Sequence, residues 1–153
     1  MFSAKASSLP LARVSVQGDR LSGAVDLSVW MRLSEALVSV RAVNVSIDLI
    51  RRGQVVTADG GIEVIGDIPC ARCLGAMPLQ LIVPVHTGLA ELESAVAALD
   101  PELEVVLAER GAVDLQNWLE DEVLLALPMI PRCAEWVSGV CAVSGLEPLQ
   151  CVE

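Results

Sequence analysis

The chain has 153 residues, 54% of them hydrophobic and 3% aromatic, and a formal charge of −10 from ten basic and twenty acidic side chains. That length suits one domain with a core of its own, and that apolar content excludes disorder as the main state. So few aromatics and so acidic a balance exclude a base-stacking platform and nonspecific phosphate binding as the main activity.

Residues 1–12, with Ser3, Ser7, Ser8 and Pro10, read as a flexible N-terminal arm. A single domain over residues 13–153 is expected to follow. Residues 13–17 suit a short strand closed by Gly18-Asp19, and residues 25–34 suit helix or strand equally. From Leu37 apolar and polar positions alternate: Val43, Val45, Ile47 and Leu49 interleave with Asn44, Ser46 and Asp48. A period of two predicts a strand with one face buried. Arg51-Arg52-Gly53 reads as a turn, residues 54–57 as a short strand, and Asp59-Gly60-Gly61 as a hairpin turn. Residues 62–70 and 79–87 read as further strands, so residues 37–89 form an antiparallel meander. Residues 90–102 suit a linker or short helix, and residues 103–107 another strand. The clearest helix is predicted at residues 115–127, capped by Asp114 and stopped by Pro128, which pushes the residue before it out of the helical region. From residue 129 on the chain is rich in loop residues. Strands followed by a helix predict an α+β fold: one domain, an antiparallel meander of five or six strands with one main C-terminal helix packed on the sheet.

Charge is divided along the chain. Residues 1–73 hold eight basic and seven acidic residues, whereas residues 74–153 hold two basic and thirteen acidic ones. An RNA contact therefore falls to the first half, and the acidic half suits a basic protein partner. The longest charge-free run, residues 74–90, is broken by Pro78, Pro84 and Gly88 and is too short for a spanning helix, which needs about 20 apolar residues. The first thirteen residues lack the apolar stretch of a signal peptide. A cytoplasmic protein with no membrane contact is expected. Five cysteines, an odd number, do not suit a disulfide framework.

Cys70-Ala71-Arg72-Cys73 is the sharpest local motif. Two thiolates three positions apart clamp one zinc when the chain turns tightly between them, and Cys133 and Cys141 are the candidates to complete the set. Two alternatives stand beside it: unligated thiols in a turn, and a redox pair, which needs a long helix after the first cysteine. Gly75, Pro78 and the alternation of residues 79–87 disfavour that helix. His86 reads as a structural histidine. On the predicted helix, Leu115, Trp118, Leu119, Val123, Leu125 and Ala126 form an apolar stripe with Glu122 inside it. Glu122 is therefore expected to be a buried brace paired with Arg72 or Arg132. Glu120, Asp121 and Leu124 fall on the opposite face and are expected to meet a partner. No nucleophilic, zinc-hydrolytic or nucleotide-binding motif is present, so no catalytic residue is assigned.

Two segments together carry a resemblance. Gly66-Asp67-Ile68-Pro69-Cys70-Ala71-Arg72-Cys73-Leu74 resembles the C-x-R-C motif of the YceD-like family. The run from Glu120-Asp121-Glu122 through Leu125-Ala126-Leu127-Pro128 to Pro131 resembles its second motif. The resemblance implies a noncatalytic ribosome-biogenesis factor supporting synthesis, processing or stability of large-subunit (23S) ribosomal RNA. Its implied partner is that RNA, a ribosomal protein or an assembly intermediate. Cys133 stands where the family commonly has a histidine, an exchange that a zinc ligand position tolerates. The basic tail common in the family is not found before Glu153, so RNA contact by such a tail is not expected, and Arg41, Arg51 and Arg52 of the first half are the candidate RNA contacts. Two other readings compete: a zinc-ribbon-like module that binds a basic protein through its acidic half, and a CxxC thiol oxidoreductase.

Overall fold

Three long strands form the middle of the fold. In β4 (Ser39–Arg52) Val43, Val45, Ile47 and Leu49 are buried while Asn44, Ser46 and Asp48 face solvent. This is the pattern of a sheet covered on one face. β5 (Val55–Pro69) and β6 (Ala76–Ala90) continue it, each antiparallel to the strand before. The computed structural model describes residues 2–71, 75–128, 136–137 and 140–141.

Around this centre the structure adds β1 (Phe2–Ser3), β2 (Ser8–Pro10), β3 (Asp19–Ala24), β7 (Glu104–Leu107) and β8 (Ala112–Asp114). The six-stranded sheet runs β1-β3-β4-β5-β6-β7. Its outer pairs, β1 with β3 and β6 with β7, are parallel, so the sheet is mixed and not wholly antiparallel as expected. The parallel β6–β7 pair follows from the crossover between them, which carries the helix α2 (Glu93–Leu99). β2 and β8 form a separate antiparallel pair, as do β9 (Trp136–Val137) and β10 (Val140–Cys141). Two further helices, α1 (Met31–Ala36) and α3 (Leu115–Ala126), complete the order.

Several expectations are corrected. Residues 2–12 are not a loose arm: β1 and β2 are paired, and Ala4 and Leu9 are fully buried. The strand expected at residues 13–17 lies instead at β3, after the turn that ends in Gly18. Asp59-Gly60-Gly61 is not a turn. It sits in mid-β5, with Gly60 opposite Ile47 on one side and Val85 on the other. A β-carbon at Gly60 would lie 2.1 Å from the Ser46 carbonyl oxygen, so glycine here permits a close approach of β4. The hairpin turn is at Gly53-Gln54, where Gly53 takes φ +66.

The main core joins Leu21, Leu33, Ile47, Leu49, Ile62 and Leu89 to Leu115 and Leu119 of α3. A smaller cluster of Val55, Ala90, Val96 and Leu103 lies at α2.

Candidate functional site

α3 begins where the sequence places it: the Asp114 side chain accepts from the Asn117 backbone N–H at 3.3 Å. It ends at Ala126, with Leu127 extended before Pro128. Its rotation, however, differs from the wheel drawn on its apolar residues. Glu120 is buried, 5% exposed, while Leu125 of the supposed stripe is 84% exposed. Leu124, expected to be exposed, packs against the core.

The reason is a polar joint between α3 and the start of α1, with Trp30 just before it. Arg32 Nε donates to Glu120 Oε1 at 2.9 Å, and its terminal nitrogens donate to Asp121 and to Asn117. The other Glu120 oxygen accepts the Leu33 backbone N–H at 3.1 Å. One turn earlier, Trp30 Nε1 donates to Gln116 Oε1, and Gln116 Nε2 donates to the carbonyls of Ala4 and Ala6. A buried carboxylate needs such partners, and they turn the Glu120 side of the helix inward. Glu120 therefore braces the fold and is not the open partner contact that the sequence suggested, whereas Asp121 pairs with Arg32 and stays half exposed.

Glu122 occupies a different setting. It is half-buried, and Oε1 accepts from Trp118 Nε1 at 3.2 Å and Thr87 Oγ1 at 3.5 Å. Burial pushes its carboxyl above the ordinary carboxylate range; the Trp118 hydrogen bond opposes this, and the nearby Glu104 charge adds to it. Its hydrogen-bond partners among the described residues include no arginine, and the two expected partners, Arg72 and Arg132, lie outside them. Glu122 borders a groove of about 280 Å³ between α3 and β7, walled by Glu104, Val106, Leu107, Trp118 and Leu125.

The three arginines expected to meet RNA are not brought together. Arg41 donates to the Gly66 carbonyl and faces Asp67 at 3.6 Å. Arg51 donates to the Val14 carbonyl at 2.9 Å, and Arg52 is exposed beside it. Arg41 and Arg51 stand ten positions apart on β4, roughly 33 Å along an extended strand.

Cys70 is buried at the end of β5, and its N–H donates to the Gly75 carbonyl at 2.9 Å, closing the loop that holds the C-x-R-C motif. β6 begins at Ala76, six positions after Cys70. Cys73 and Cys133 lie outside the described residues, and of the Cys141 side chain nothing is described. His86, expected to be structural, is an exposed surface partner of Asp59 on the neighbouring strand, which raises its pKa.

A family model described as large ribosomal RNA subunit accumulation protein YceD matches residues 58–150, three-fifths of the chain. The chain belongs to the YceD family. Both motifs of the sequence fall inside the matched region, as do β6, β7 and α3. Trp30 and Arg32, which lock the second motif in place, lie before it. No curated protein and no solved structure matches the chain. The joint at α3 escaped sequence reasoning because its two halves are 88 residues apart. Its one local signal was the short helix-compatible stretch at residues 25–34, which left the partner unnamed.

Proposed function

We propose that the chain is a noncatalytic, cytoplasmic ribosome-biogenesis factor that supports accumulation of large-subunit ribosomal RNA by holding a basic protein of the assembling particle. Membership of the YceD family is the observation that carries the first half of this reading. The placement of charge supports the second half. Arg32, Arg41 and Arg51 are engaged in contacts within the fold, and Arg41 and Arg51 sit at opposite ends of β4. Acidic residues outnumber basic ones thirteen to two beyond residue 73. Phosphate binding by dispersed, engaged arginines is weak, whereas an acidic surface favours a cationic protein.

Zinc on Cys70, Cys73, Cys133 and Cys141 belongs to the same reading, as a tie between the loop after β5 and the chain beyond α3. Native mass spectrometry tests that part. A mass equal to the bare chain, from protein purified without chelator, removes it.

The function itself is tested by a gradient profile of ribosomal subunits from cells lacking the gene. The expected result is a deficit of large subunits and of their RNA, restored by the wild-type gene. A normal large-subunit peak with a normal RNA level overturns it.

A further inference from the structure

β7 is the last strand of the six-stranded sheet, paired with β6 on one side and with no strand on the other among the described residues. An unpaired edge presents a row of N–H and C=O groups that template another strand. All four β7 residues line the groove beneath α3. That groove shares Glu104, Glu122 and Leu125 with a depression reaching His86 and Pro84. In the other direction it shares Leu107 and Asp114 with one reaching Ser7 and Ser8. The three form one trough along the strand edge.

The walls of the trough have a consistent chemistry. Among the described residues Glu104, Glu109, Asp114, Asp121 and Glu122 line it, and no lysine or arginine does. Two large apolar side chains, Leu107 at 57% exposure and Leu125 at 84%, stand open beside these carboxylates. An occupant must therefore supply backbone partners in extended form, positive charge and some apolar surface. RNA meets none of the first and repels the walls, whereas a cationic polypeptide meets all three.

We propose that the trough between β7 and α3 takes an extended segment of a basic protein, with alternating cationic and apolar residues, as an added strand on β7. The inference rests on the reading of the chain as a holder of a basic protein and names the surface used. Strand addition pairs the guest backbone with β7, and because successive side chains of a strand turn to opposite faces, a guest that alternates cationic and apolar residues presents positive charge on one face and apolar surface on the other.

The test uses the full chain and a labelled peptide of about ten residues in which lysine and valine alternate, long enough to span β7 at ~3.3 Å per residue. Fluorescence anisotropy is expected to show binding that weakens as salt rises. Amide exchange at Val105, Val106 and Leu107 is expected to slow in the complex. The same peptide N-methylated along one edge keeps its charge but loses its strand hydrogen bonds, and is expected to bind about tenfold more weakly or worse. The E104K/L125K variant changes two exposed side chains and is expected to weaken the unmodified peptide similarly. Equal binding of a glutamate–valine peptide, or of the N-methylated peptide, overturns the proposal. So does a single-stranded RNA that slows the same amides, or self-association that protects them without peptide. In cells, full rescue of the large-subunit deficit by E104K/L125K refutes the trough and leaves the proposed function standing. A deletion that leaves subunits normal refutes the proposed function, while the peptide measurement is decided separately.

Discussion

Glu120→Gln removes one charge from the α1–α3 joint and almost no volume, so no cavity contribution enters. In the native protein the carboxylate accepts two hydrogen bonds, from Arg32 Nε at 2.9 Å and from the Leu33 N–H at 3.1 Å. A hydrogen bond to a charged group contributes about 1.5–3 kcal/mol and a neutral one about 0.5–1.5. The Leu33 bond therefore becomes a neutral one, which costs about 1 kcal/mol, while the Arg32 bond keeps its charged donor. Glutamine adds a conflict, because it has one acceptor oxygen for two donors and an amide whose N–H groups face the other donor. An orphaned buried donor costs about 1–3 kcal/mol more. The Arg32 side chain is 46% exposed, so water compensates it and the total belongs near the low end, about 2 kcal/mol. Urea unfolding followed by tryptophan fluorescence reads this directly: with a slope near 2 kcal/mol/M, the midpoint falls by about 1 M. The loss is expected to shrink when Arg32→Gln is already present, since the two groups share one interaction. A Glu120→Gln curve within about 0.5 kcal/mol of the parent, the behaviour of an ordinary surface site, refutes the joint.

Glu122→Gln is expected to have the opposite sign. Because its folded pKa is raised, the native state holds that proton more tightly; stability then falls as pH rises from the ordinary carboxylate pKa of 4.5 through the folded value. The variant should lose this fall and melt at an equal or higher urea concentration than the parent at pH 8; a lower midpoint there contradicts the reading. His86, the single histidine, should titrate by NMR above 6.5 because of Asp59, and Asp59→Asn should bring it back; its contribution is present below the unfolded pKa and fades as pH rises through the folded one. Gly60→Ala forces a methyl to within 2.1 Å of a backbone oxygen and should cost about 3 kcal/mol or more, whereas Gly61→Ala, with its nearest neighbour at 3.4 Å, should retain the circular dichroism and yield of the parent.

Local patterns made part of this molecule readable before its structure. Strict alternation located β4 and most of β6, because one covered face forces a period of two. Asp114 and Pro128 bounded α3 to within a residue, because caps and prolines act on their own backbone. What stayed hidden depends on distant partners. Gly60 resembles a turn residue until β4 is seen crossing it. The burial of Glu120 follows from Arg32, which no helical wheel contains. The pairing of residues 2–12 depends on β3 and β8, and nothing in a short polar stretch announces that it will be covered. The arginines illustrate the same limit for function: composition counts cations but not which of them the fold has already engaged.

The two hydrogen bonds that Gln116 sends to Ala4 and Ala6 span 112 and 110 residues of chain. Leu115 adds a backbone bond to Ser7, and β2 waits for β8 before it has any strand partner. As the nascent polypeptide leaves the ribosome, residues 6–10 thus emerge long before the segment they pair with. β3 to β6 can assemble in order as each appears, whereas β2 and the carbonyls of Ala4 and Ala6 wait for β8 and α3. Contacts of such separation slow the last stage of folding, and open strand edges invite pairing with other chains. The closing of residues 4–10 under α3 therefore has to follow the synthesis of residues 112–116.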